Sequence, residues 1–447
     1  MNAIFQKSLL CLCLCITGSF TINAQITPHI INIVKNRKLN DAQKKEVIRQ
    51  NNLPNFQVAV NLSKKNFSSE SNPGILDYTL IDSDKDGLSD DEEAILKTDP
   101  LNQDTDGDAL IDSWEVGIIN SIDLKALGAS PLHKDIFVEM DYMVRQSAVN
   151  GLGPNTNVIF NIQQAFANSP ISNPDGKDGI NIHLLLDNEV QYDNNLAPLL
   201  KEFATLKKNN FAANRAHIFH YMIWADTYNY SRSSGSSLDI PSSDFVVTLG
   251  VWNNNSGGTD EEKIGTFIHE LGHNLGLRHG GNDDQNYKPN HLSVMNYFFQ
   301  ISGVVLDNSG SKINNYTYQS FVNPELDESS LIEDDGIGKN PNLRSYYTRY
   351  INLAGGITET IAGGPIDWNT NGIIDENKIY VDLNSDTQLN KLIATPNEWN
   401  QLYFNGGIIG SFGPLIGVID KSINEYNVLP FIELTEEMSI KIKNNNK

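Results

Sequence analysis

Residues 269–279 read His-Glu-Leu-Gly-His-Asn-Leu-Gly-Leu-Arg-His, which places His269, Glu270, His273 and His279 in the spacing H-E-x-x-H-x-x-G-x-x-H. With nine His and 33 Gly in 447 residues, the five-residue core of this pattern arises by chance in about 1% of such sequences and the full pattern in roughly one in 10⁵. The chemistry these residue types support is that of a divalent ion. Three neutral imidazoles leave the ion its full charge and one coordination position open, the arrangement of a catalytic zinc site. Water bound there loses a proton near neutral pH. Glu270, on the same side of the chain, can take that proton and pass it to a leaving amine.

A helix has to hold the pattern together. Thr259 and Glu262 carry the signature of a capping box and start a helix at about Asp260. At helical spacing Ile264, Phe267, Ile268, Leu271 and Leu275 share one apolar stripe, and His269 and His273 lie roughly opposite it, one turn apart. Gly276 can take a left-handed conformation and end the helix, which lets His279 swing back as a third ligand. The competing reading, a core helix with incidental histidines, predicts rings that do not converge. Upstream, hydrophobic periodicity predicts strands at Ile136–Met143 and Ile180–Leu186, helices at Asn157–Ala167 and Ala197–Lys207, and a strand at Ala216–Ala225. Ser231–Ser237 (SRSSGSS) reads as a flexible loop, and Phe245–Trp252 as a strand broken by the NNNSGG of 253–258. Beyond residue 300 no clear pattern emerges.

The histidine motif resembles that of the metzincin clan of zinc metallopeptidases. The run Ser293, Val294, Met295, Asn296, Tyr297 is similar to the clan's Met-turn, in which a Met lies beneath the zinc ligands. The Tyr two places after Met295 matches the astacin and serralysin form of that turn. The resemblance covers residues 134–300 and leaves the family within the clan open, pappalysin-like enzymes being one candidate. It implies an α+β fold for a peptidase domain over 130–447. In that fold a twisted mixed sheet, a backing helix and the active-site helix form an upper subdomain (134–279), and an irregular C-terminal subdomain follows (280–447). It implies Tyr297 as an extra zinc ligand or a stabiliser of the tetrahedral intermediate, with simple packing as the other role open to it. It also implies that the edge strand before the active-site helix pairs with the substrate backbone, a place that Phe245–Trp252 fills.

A second metal chemistry lies upstream. Asp82, Asp84, Asp86, Gly87, Leu88, Asp90 and Glu93 match the loop D-x-D-x-D-G-x-x-D-x-x-E, with hard oxygen donors at alternate positions and a Glu at position twelve, as calcium requires. Twenty-two residues later the pattern returns in Asp104, Asp106, Asp108, Leu110, Asp112 and Glu115. Together the loops resemble thrombospondin type 3 repeats, and the linking Thr98, Asp99 and Pro100 fit that comparison. Ala109 stands where Gly is expected, and a positive φ there would cost ~1 kcal/mol. Acids packed this densely repel unless cations neutralise them, whereas the alternative is a solvated acidic linker. A third candidate runs through Asp367, Asn369, Asn371 and Asp375, with Lys378 at position twelve. It reads as calcium or as an Asn-rich turn, and Asp382, Asn384 and Asp386 follow closely enough to share it.

Lys7 is the only charge before Ala24, and the apolar run Leu9–Ile16 follows it, which predicts a secretory signal peptide (1–24) cut near Ala24. The run is too short to span a bilayer, and no later segment is apolar enough to do so. All three cysteines (Cys11, Cys13, Cys15) lie inside this signal, so the exported chain has no disulfide and something else must brace its loops. Residues 25–75, with one helix expected around 40–51, read as a pro-segment or spacer before the calcium block of 76–120. A formal charge of −22, from 33 Lys and Arg against 55 Asp and Glu, argues against nucleic acid as partner. The expectation is a secreted, zinc- and calcium-dependent endopeptidase acting on protein or peptide. A calcium-dependent adhesion protein with a vestigial peptidase fold is the rival, and non-peptidase zinc hydrolysis a lesser one. His29, His133, His183, His217, His220 and His291 read as structural or surface residues.

Overall fold

The strand Asp135–Tyr142 (β1) alternates sharply: Ile136, Val138 and Met140 enter one apolar core and Phe137 the other. A strand buried on both faces needs neighbours on both edges. β1 has them in Asn181–Glu189 (β2) and Phe219–Trp224 (β3), each paired in parallel. Gly235–Ser237 (β4) pairs antiparallel with Asp244–Val247 (β5), and β5 runs parallel to β3, so the strand order is β2-β1-β3-β5-β4. Two helices pack on one face. Thr156–Ala167 (α1) is capped by Asn155, whose side chain accepts from Val158 N. The helix Leu199–Asn210 (α2) covers the opposite face with Leu199 and Phe203. Asp260–Asn274 (α3) joins α1 in the first layer. The result is an α+β architecture around a mixed sheet.

The computed structural model describes residues 81–308, 310–405 and 433–445, so the expected signal peptide, the whole of the 25–80 segment and His29 lie outside the described residues. Two units separate. Of the first, Ile81 and Ser89–Leu96 are described, and Asp90–Leu96 is a short helix with Asp90, Asp91, Glu92 and Glu93 in its first turn, where negative charge suits the helix dipole. The second runs over Asp82–Leu88 and from Lys97 onward and holds everything that follows.

Two expectations fail at the sheet edge. Ser231–Ser237 is not a flexible loop throughout: its last three residues are β4, in register as Gly235↔Val247, Ser236↔Val246 and Ser237↔Phe245. Phe245–Trp252 is not the edge. Its strand, β5, ends at Val247 and lies between β3 and β4, and the left-handed Asn253 and Asn254 follow beyond it. Small polar residues carry little strand propensity, so β4 owes its conformation to pairing.

Beyond residue 280 the chain builds its own core from Phe298, Phe299, Val304, Tyr350, Trp368 and Leu383, among others. The hairpins 304–308 with 311–315 and 347–351 with 357–361 frame it. A last helix, Glu436–Asn445 (α4), returns to the first core through Ile442. Among the described residues no helix is long and apolar enough to cross a membrane.

Candidate metal centres

The capping box forms as expected, with Thr259 Oγ1 accepting from Glu262 N and Glu262 Oε2 accepting from Thr259 N at 2.9 Å. Ile264, Phe267, Ile268, Leu271 and Leu275 are all buried in the first core, which fixes the rotation of α3 and aims His269 and His273 away from it. Nδ1 of His269 lies 2.9 Å from Val294 O and Nδ1 of His273 lies 2.8 Å from Leu277 O. A carbonyl only accepts, so these nitrogens carry the ring protons and the Nε2 atoms are left as acceptors. Gly276 takes φ +92° and turns the chain so that His279 comes back.

The three Nε2 atoms meet. His269 and His273 are 3.1 Å apart, and each is 3.3 Å from His279. The edge of a tetrahedron with bonds of about 2.0 Å to a central ion is about 3.3 Å. Burial holds the His273 and His279 imidazoles below their usual pKa, which keeps them neutral. Acceptor nitrogens converging in a closed space repel one another, and a cation at their centre resolves this. Met295 lies beneath the helix: a Cβ built on Gly272 would sit 2.4 Å from its Sδ. The Tyr297 ring stands edge-on to His279, with centroids 4.7 Å apart.

Glu270 is fully buried, and its Oε2 accepts from the β4 amide of Ser237 at 2.7 Å. Its Oε1 is buried with no hydrogen-bond partner. Burial, then the nearby Glu433, push this carboxyl above its usual range, and the Ser237 amide opposes them. Gly235 makes the approach possible, because a Cβ there would lie 2.9 Å from both Glu270 Cγ and Oε1.

One residue of this centre gave no signal in the sequence. Glu433 sits 154 positions from His279, yet its Oε2 is 3.3 Å from Nε2 of both His269 and His279, and its Oε1 is 3.6 Å from Nε2 of His273. Tyr297 donates its hydroxyl to the same carboxylate at 3.0 Å.

The calcium residues fall into place unevenly. Asp82, Asp84 and Asp86 gather with one oxygen each within 4.8 Å of the others. Asp82 also accepts from Lys85 N and Gly87 N, and Leu88 N donates to Asp86 Oδ1. Asp90 and Glu93 belong to the short helix of the other unit. In the second loop Asp104, Asp106 and Asp108 gather in the same way, and Ala109 does take φ +72° despite its Cβ. Leu110 donates its amide to Asp108 Oδ1. Asp112 departs from expectation: both its oxygens accept from Thr105, at 2.9 and 2.7 Å, which fastens the loop's ends. In its place stands Asp135, the first residue of β1, which forms a buried group with Asp108 and Glu115. Both oxygens of Asp106 and both of Glu115 are buried without a hydrogen-bond partner. Burial and then Asp104 push Asp106 up to about 8, and burial and then Asp108 raise Glu115 far more.

The third candidate does not assemble as a carboxylate cluster. The amides of Asn369 and Asn371 both donate to Asp375 at 2.8 Å, and Asp367 accepts from Asn371 N and Gly372 N. Asn side chains that donate inward close a turn rather than a cation cage. Asp382 and Asp386 instead gather with the buried Glu328, whose oxygens accept from Leu383 N and Asn390 N.

The other described histidines have protein roles. His133 faces Asp175, His183 faces Asp135, and His291 bridges His279 O and Glu398. Burial drives His220 down to about 3 beside the Asn274 amide, and His217 takes φ +68°. Among known families, residues 82–103 match the model of the bacterial TSP3 repeat, a repeat of calcium-binding type that covers the first loop. No curated protein matches the chain.

Proposed function

We propose that this chain is a secreted zinc endopeptidase of metzincin type, braced by calcium. What supports the reading above all is the convergence of three imidazole Nε2 atoms at 3.1–3.3 Å beside an otherwise unpartnered Glu270 oxygen. His269, His273 and His279 would hold the ion, which when bound supplies a Lewis acid and lowers the pKa of water. The remaining work falls to the chain. The Ser237 amide fixes one oxygen of Glu270 and leaves Oε1 to accept a proton from water and deliver it to the departing amine. Burial makes that carboxylate more basic than an exposed one, which suits the task. β4 is the terminal strand of the sheet, the side on which an extended substrate strand would align. Tyr297 OH, already donating to an anionic oxygen, is placed to meet the charge that develops on the scissile carbonyl oxygen. Tyr297→Phe is therefore expected to lower kcat on fluorescein-labelled casein about 10- to 100-fold with little change in KM. Equal losses in binding would mean that the ring merely packs.

Calcium would sit at Asp82, Asp84 and Asp86, and again among Asp104, Asp106, Asp108, Glu115 and Asp135. In the absence of calcium, Asp106 (up to about 8) binds its proton more tightly folded than unfolded. Stability present below the unfolded value of about 4 is then lost as pH rises toward 8. Calcium displaces that proton and reverses the trend. The gain in Tm on adding calcium to zinc-supplemented protein is expected to grow steadily from pH 5 to pH 8; a gain that is flat across that window would count against the site.

The experiment that separates enzyme from calcium-dependent binder is a casein digest by wild type beside Glu270→Gln. A binder clears neither.

A further inference from the structure

We propose that Glu433 is a fourth protein ligand of the tri-histidine centre, carried there by a segment that lies along the sheet edge where a substrate strand would lie. The proposal rests on the reading of that centre as a zinc peptidase site. Its own basis is separate. The Glu433 side chain is 2% exposed, and a carboxylate buried that deeply must be paired or bound to a metal. Its partners among the described residues are the three imidazoles and the Tyr297 hydroxyl, and Oε1 has no hydrogen bond of its own. Two of those imidazoles present unprotonated nitrogens, so carboxylate oxygen and ring nitrogens face each other as acceptors. A cation between them satisfies all four.

The backbone on either side argues for mimicry of a substrate. Ser234 N donates to Leu434 O at 2.8 Å, and Ser233 bridges Thr435 in antiparallel sense. These residues directly precede β4, so 433–435 extends the sheet outward from the edge that a substrate would use. Leu434 is fully buried in the first core, and α4 is fastened behind it. Glu436 pairs with Arg232 and accepts from Asn253 N at 2.7 Å, and Lys443 reaches Glu262 at the start of α3. With the carboxylate on the ion and the segment on the edge, neither water nor substrate can enter. This closed form is latent, and hydrolysis by wild type comes from the small fraction of molecules in which 433–445 has left.

The test uses the full chain, zinc-loaded and cobalt-substituted. Glu433→Ala is expected to change the cobalt visible spectrum as water replaces a carboxylate. It is also expected to raise casein hydrolysis about tenfold or more, by the fraction of molecules released from the closed form. Arg232→Ala, which loosens α4 without touching the centre, is expected to raise hydrolysis in the same direction. If wild type retains no zinc, the reading of the centre itself falls. If wild type binds zinc but Glu433→Ala leaves the cobalt spectrum and the rate unchanged, Glu433 is not a ligand and this proposal alone falls. If the variant loses both metal and activity while remaining folded by circular dichroism, Glu433 holds the ion but does not block it, and latency is overturned. Should Glu433→Ala not fold, an Arg232→Ala protein no more active than wild type overturns the blocking role by itself.

Discussion

Glu270→Gln is expected to reduce casein hydrolysis about 10³-fold or more while leaving bound zinc at one ion per chain. The size follows from what the substitution removes. General acid–base catalysis is worth about 10²–10⁴, and the amide keeps the shape of the side chain while losing its capacity to accept a proton. The geometry allows this clean separation because, among the described residues, the hydrogen bond that holds Glu270 comes from the Ser237 backbone and not from a histidine ligand. Its Oε2 is occupied by Ser237 N, and the amide oxygen of Gln can keep that bond. Metal analysis and kinetics on the same preparation check the result. A variant that stays within a factor of ten of wild type would place the proton acceptor elsewhere.

Asp135→Ala is expected to abolish most of the calcium-dependent part of stability. Removing a group that orients or binds a metal costs about 10- to 100-fold in affinity. In a domain of this size each kcal/mol shifts Tm by about 2–4 °C. The measurement is the difference between calcium-loaded and calcium-free Tm, because Asp135 also accepts from Ser130 N and contacts His183, and those losses appear in both states. The difference is expected to shrink by about 3–11 °C on those figures, while Asp84→Ala, in the first loop, leaves the second loop's share intact. An unchanged difference in Asp135→Ala would assign the second loop's carboxylates to a site that ignores the sheet.

What could be read in the sequence was what repeats at short range. The capping box, the stripe on α3, the turn at Gly276 and the gathering of His269, His273 and His279 depend on residues within about twenty positions of one another, and all stand as expected. The core strands were legible for the same reason: β1, β2 and β3 carry alternating or continuous apolar residues. β4 was not legible, since Gly235, Ser236 and Ser237 have no side chain that announces a strand and acquire the conformation from Phe245, Val246 and Val247 across the ladder. Asp135 lies just before the strand expected at Ile136–Met143 and outside both acidic loops. Its place beside Glu115 depends on the packing of the second loop against β1. Glu433 is the extreme case, because nothing in a run of Phe, Ile, Glu, Leu and Thr distinguishes a residue bound for a buried cluster. Asp112 and Asn369 stand at the expected spacing, and their side chains are engaged in hydrogen bonds within the chain.

The composition of β4 bears on discrimination between substrates. A rail of glycine and serine has almost no relief, so whatever it grips it grips by peptide groups, which are common to every polypeptide. Under the proposed reading such a rail would hold many sequences about equally well. Any preference for particular side chains would have to come from residues outside this strand.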